Sequence, residues 1–267
     1  MTLMKSRFLV IIFLACIITA CALPLPIGQQ AATPLPKPDW QGMVDRFLAV
    51  KPDFHQPENL HKIPAVRQET DFDISHYLTA LDHLSMEEGY SLDYAYYLDG
   101  FAGMPVLYAR PLSNPFYKTY DEYIKANSGT KINSYLAHVR SDGTPEGFFQ
   151  YIILAIMGSQ FYQWWHAQTN DQVIVTNQAA LEKILTEAMT AKYGQQLSAE
   201  TAQKARTLNL EPQVEFGSST VVIKVVTFTK WGGFKWVTYT LQKDFPHTDL
   251  SNPHIETLVE YNCGIIP

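Results

Sequence analysis

Cysteine is scarce in this chain, basic charge is in the minority, and no apolar run is long enough to cross a bilayer. The three cysteines, Cys16, Cys21 and Cys263, form no Cys-x-x-Cys pair and are too few for a disulfide scaffold. Lys and Arg number 20 against 26 Asp and Glu, and no basic stripe stands out, which argues against nucleic acid as a partner. The longest apolar run, Phe8–Ile18, falls short of the roughly 20 residues a helical span needs. Motifs that carry a mechanism are missing as well: no His-Glu-x-x-His zinc helix, Gly-x-Ser-x-Gly elbow, phosphate loop or dinucleotide glycine pattern occurs. The sequence therefore implies no cofactor and no metal, and it assigns no catalytic residue. Apolar content of 46% against 17% charged residues is enough to build a substantial core and excludes a disordered chain.

The N-terminus carries the most specific signal. Lys5 and Arg7 precede the apolar run, and small residues follow it, the layout of a secretory signal peptide. Ile18-Thr19-Ala20-Cys21 then resembles the lipobox of bacterial lipoproteins, a likeness confined to this end of the chain. The resemblance implies diacylglycerol transfer to the Cys21 thiol, cleavage before Cys21 and acylation of the new amine. Anchoring would be stable, because one acyl chain binds a membrane only marginally whereas two or more hold. Ala20-Cys21-Ala22 also fits a simple signal-peptidase site, so plain secretion is the competing reading. With residues 1–21 removed, 18 basic residues face 26 acidic ones, a net charge of about −8. Only Cys263 would then keep a free thiol, so no intramolecular disulfide is available.

Residues 22–38 hold Pro24, Pro26, Pro34, Pro36 and Pro38 and read as an extended, partly stiff tether. Residues 39–267 are expected to form a single α+β domain, with antiparallel hairpins and two or three helices packed on the sheet, and a possible subdivision near 195–212. Ile74, Tyr77, Leu78, Leu81 and Leu84 predict a helix with His76 and His83 on its polar face, about 10.5 Å apart and too distant to share one metal. Residues 92–98 and 105–110 predict a hairpin; pairing Leu98 with Pro105 sets Asp93 opposite Arg110 as a structural ion pair. Ser134–Arg140 reads as a strand. Residues 148–157 are nearly all apolar, and their aromatics and isoleucines favour a central strand over the helix that Thr144-Pro145-Glu146 would start. Helices are expected over 179–192 and from a Ser198 cap to about Arg206, and strands over 221–230, 234–242 and 254–263.

Candidate sites are few. In Gln160–Gln168, strand alternation places Tyr162, Trp164 and His166 on one face, a surface suited to stacking on a sugar or planar ligand, with core packing as the alternative. Trp231–Phe234 and Trp236 form either an exposed contact tip or a tip folded onto the sheet. Asp99 and Asp142 precede glycine and fit turns. Cys263 reads as structural unless His247 or His254 lies beside it. The function expected is a membrane-anchored extracytoplasmic lipoprotein, held on the cell membrane or outer membrane by its lipid, that binds a small molecule, glycan or protein. An exported hydrolase with His166 or His138 beside a carboxylate in a pocket, and a structural envelope protein, are the alternatives.

Overall fold

The computed structural model describes residues 37–127, 134–247, 250 and 252–266. Among the described residues there are six α-helices: α1 (Trp40–Val50), α2 (His76–Ala80), α3 (Tyr120–Ala126), α4 (Pro145–Met157), α5 (Gln178–Met189) and α6 (Ala199–Arg206). Ten strands accompany them: β1 (Leu84–Met86), β2 (Tyr90–Leu98), β3 (Ala102–Pro111), β4 (Val139–Ser141), β5 (Trp164–Trp165), β6 (Val173–Ile174), β7 (Gln213–Phe216), β8 (Thr220–Thr229), β9 (Gly233–Gln242) and β10 (His254–Val259). Every strand pair is antiparallel. The fold is α+β, as its sequence implies, although the helices outnumber the two or three expected.

The strands form three sheets: a β1–β4 ribbon, a β2–β3–β5 sheet, and a sheet ordered β10–β9–β8–β6 in which β7 also pairs with β8. The third sheet is covered on both faces, and its alternation shows why. Val221, Ile223 and Val225 of β8 join Val237, Tyr239 and Leu241 of β9 in the main core with α1 and α4. The intervening Val226, Phe228 and Phe234 point to the opposite face, where Leu181 and Leu185 of α5 and Ala202 and Ala205 of α6 pack. A period of two thus builds two cores from one sheet.

The expected strand at residues 148–157 is instead the buried helix α4. Thr144 caps it by accepting from the Gly147 amide, Pro145 occupies the first turn, and ten of its residues are buried. An apolar run covered on all sides carries no amphipathic signal, so only its cap distinguished helix from strand. The helix expected over 74–84 is reduced to the single turn α2. Buried Gln150 of α4 accepts from the His83 amide and donates to Asp82, which supports a non-helical backbone there. Ile74, Leu81 and Leu84 are buried as their spacing requires, but Leu84 opens β1 and His83 lies outside any helix. Residues Ser134–His138 are a 3-10 turn rather than a strand, with β4 following, and β7 is a further strand beyond those expected.

The hairpin β2–β3 forms with a different register. Leu98 pairs with Gly103 and Asp93 with Tyr108, two residues from expectation. The Asp99 amide bonds to the Ala102 carbonyl, so the tip is only Gly100-Phe101. A shift of two preserves the face, and Arg110 still reaches Asp93 at 2.7 Å. Arg67 meets the other carboxylate oxygen at 2.6 Å, which makes Asp93 the buried centre of an Arg–Asp–Arg group.

Candidate functional site

The segment from Gln160 to His166 leaves the end of α4 and is fixed from several directions. Lys51, just past α1, donates from Nζ to the Gln160 carbonyl at 2.6 Å; burial lowers the pKa of its ammonium, with nearby Asp53 opposing. The Tyr162 amide donates to the Asp53 carbonyl, and the Tyr96 hydroxyl donates to the Tyr162 carbonyl at 2.7 Å. β5 then adds to the edge of β3, pairing Trp164 with Gly103 and Trp165 with Ala102. The His166 amide closes the segment on the Phe101 carbonyl.

Within that frame the backbone is strained. Tyr162 (φ 49°) and Trp165 (φ 48°) have left-handed φ values, and among the described residues no other non-glycine does so. Such conformations cost about 1–3 kcal/mol each and persist only where surrounding contacts over-determine them. Between them, Gln163 is 1% exposed, and neither polar atom of its side chain has a hydrogen-bond partner. A buried amide left in that condition costs about 1–3 kcal/mol.

The two turns change which residues share a face. Tyr162 goes inward, half-buried against the main core and the Leu60–Ala65–Tyr96 cluster. Trp164 and Trp165, adjacent in sequence, both face solvent at 38% and 52% exposure. Their rings meet edge to face at 5.7 Å, and the His166 imidazole lies flat against Trp165 at 5.5 Å and 9°. Phe101, exposed in the β2–β3 tip, stands 6.3 Å from His166. The strand alternation expected for Tyr162, Trp164 and His166 therefore fails. Trp164 and His166 remain at the surface, each against Trp165, and Trp165 and Phe101 take the place expected for Tyr162. The available signal for Phe101 was a lone apolar residue in a glycine-bearing turn.

Asp99 organises this rim from beneath. Its carboxylate accepts from the Phe101 and Ala102 amides at 2.6 and 2.7 Å and from the Tyr97 hydroxyl. The Tyr97 hydrogen bond, followed by the two amides, lowers the Asp99 pKa, and the same bond raises that of Tyr97. Asp99 is a turn residue, as its position before glycine suggests.

The other candidates make contacts within the fold. Phe234 is fully buried on Phe228, Trp236 is half-buried with the Lys224 ammonium 3.1 Å above its ring, and the Trp231 indole donates to the Ile265 carbonyl. His83 and Asp142 meet at 2.7 Å, as do His138 and Glu87. Continuing the β1–β4 register by one residue at each end sets these two pairs opposite each other, so each closes one end of the ribbon. Asp142 also accepts from the Thr144 amide and hydroxyl, the expected turn geometry. Cys263 is buried, and both His247 nitrogens are engaged elsewhere, with the Gln242 carbonyl and the Ser141 amide. Among the described residues no three His, Cys, Asp or Glu side chains converge on a metal position, and no helix is long and apolar enough to cross a membrane. Cys21 lies outside the described residues.

Comparison of the chain with protein-family models, curated proteins and solved structures returns no match.

Proposed function

We propose that this chain is a lipid-anchored extracytoplasmic binding domain whose contact surface is the rim formed by Phe101, Trp164, Trp165 and His166. The anchor reading is supported by the basic, apolar and small-residue order ending at Cys21 and by the proline-rich tether behind it. The rim reading is carried by one observation: two adjacent tryptophans are held in solvent on backbone that is strained around a buried, unsatisfied Gln163. Folding alone would favour the reverse, with the rings inside and the amide outside. Strain of this kind collects at sites with a task. Flat indole and imidazole faces suit a ligand with a flat face of its own, a planar ring or the C–H face of a sugar.

Two measurements test the parts separately. Fatty-acid labelling in cells should mark wild-type protein and miss Cys21→Ala; unlabelled, freely secreted wild type contradicts the anchor. Trp164→Ala and Trp165→Ala should each weaken ligand binding by about tenfold or more while leaving the circular dichroism unchanged. Folded variants that bind as wild type does would remove the rim from consideration.

A further inference from the structure

A cleft of about 510 Å³ lies in a different part of the molecule, between the start of α6, the β8–β9 tip and the chain leaving β10. Its volume is within the usual range for small-ligand sites, about 300–1,000 Å³. The lining is unusual in that it contains no aliphatic side chain: three amides, three aliphatic hydroxyls, Lys235, Glu260 and two rings, Trp231 and Tyr261, surround Gly232.

The walls are fastened to one another. The Tyr261 hydroxyl donates to the Gln195 carbonyl and the Gln195 amide to the Cys263 carbonyl, which ties the loop before α6 to the C-terminal segment. The Cys263 amide bonds to the Lys230 carbonyl, and the Trp231 indole N–H to the Ile265 carbonyl at 2.8 Å. Gly233, at φ +72°, lets the Val259 carbonyl come within 2.1 Å of the point where a Cβ would stand, so the tip and β10 meet closely beneath the cleft. The Trp231 indole has spent its one donor on these ties and contributes ring surface only, while the Tyr261 oxygen can still accept.

We infer that this cleft is a binding site for an uncharged, hydroxyl-rich saccharide of one or two rings. The absence of aliphatic lining disfavours acyl chains and other apolar ligands. Lys235 and Glu260 make no ion pair among the described residues, with each other or with a third group. One charge of each sign leaves the lining without net charge, so a singly charged ligand drawn to one of these groups is opposed by the other. Sugar hydroxyls donate to the carboxylate and accept from the ammonium, and the amides serve both roles. Trp231 supplies a fixed face for the sugar's C–H surface. The inference is independent of the aromatic rim, which other elements build.

The test is isothermal titration of the full-length chain in a detergent without a sugar headgroup. Maltose, cellobiose and N,N′-diacetylchitobiose are the neutral probes, with glucuronate, glucosamine and octanoate as the charged and apolar ones. At least one neutral disaccharide should bind at least about tenfold more tightly than any of the other three. Trp231→Ala, Lys235→Gln and Glu260→Gln should each weaken it by about fivefold or more, in the wild-type background and in Trp165→Ala alike. Glu260 is exposed and Lys235 half-buried, so their variants remain informative if Trp231→Ala loosens the C-terminal segment. Absence of neutral-sugar binding, preference for a charged or apolar probe, or indifference to both charge variants would overturn the assignment. Loss of binding in Trp165→Ala would also overturn it, by moving the sugar to the rim.

Discussion

Two glycine-bearing hairpin tips, Asp99–Ala102 and Thr229–Gly233, handle aromatic side chains in opposite ways. At the second tip the left-handed φ falls on Gly233, and the neighbouring Phe234 is fully buried on Phe228. Beside the first tip the left-handed φ values fall on Tyr162 and Trp165, and the two tryptophans of the added strand face solvent. Glycine carries such backbone at little steric cost, while a side chain bearing a Cβ stores strain. The second tip therefore packs Phe234 without backbone strain on a side-chain-bearing residue, and the first departs from what packing alone would select.

This contrast is most severely tested by Gly233→Ala. The new methyl would meet the Val259 carbonyl and the Tyr261 amide at a left-handed φ, so a loss of about 3–5 kcal/mol in urea unfolding is expected. A loss under 1 kcal/mol would mean that the close approach is not a constraint. At the other region the sign should reverse. Gln163→Met removes an amide with no partners and should raise stability by about 1–3 kcal/mol while preserving volume; destabilisation would show that the amide is satisfied in solution. Trp165→Gly should gain about 1 kcal/mol, because φ 48° with ψ −122° suits glycine and the lost ring is half in solvent. An equilibrium loss as large as that of Gly233→Ala would erase the distinction between the regions.

The smallest effect concerns pH and involves neither tip. Burial lowers the His247 pKa, with its hydrogen bond to the Gln242 carbonyl opposing and the Arg140 charge adding to the depression. Its Nε2 accepts from the Ser141 amide, which requires the neutral ring. A depressed folded pKa means that this contribution is intact above the ordinary histidine value of about 6.5 and is lost as pH falls through the folded value. Urea midpoints should therefore decline as pH falls below 6.5, and His247→Gln should flatten that decline. An unchanged slope would assign the effect to other groups.

Much of the fold is legible in the sequence where one face is polar. Ser198 caps α6 as expected and α5 shows its leucines at helical spacing; β8 and β9, apolar on both faces, are legible instead from their β-branched and aromatic residues on either side of Trp231-Gly232-Gly233. Legibility fails for α4, whose complete burial erases periodicity and leaves Thr144 and Pro145 as the only markers. It fails more deeply at Tyr162 and Trp165. Their φ values are imposed by contacts far away in sequence, from Lys51 and Asp53 to Phe101, and no local pattern encodes them. The aromatic content of the site was readable; its orientation was a tertiary outcome. The Asp93–Arg110 pair was recoverable despite the wrong register because an error of two preserves the face.

Ligand binding at the Trp164–Trp165 rim can be read from thermal shifts of wild type and Trp164→Ala/Trp165→Ala side by side. The panel would contain sugars, peptides, nucleotides, planar aromatics and divalent metals with chelator. A ligand at about 100 times its Kd adds about 2.7 kcal/mol, well within detection. At least one selective stabiliser of the wild type is expected, with a shift that disappears in the double variant. A flat response in the wild type, or a shift that survives loss of both indoles, would contradict it.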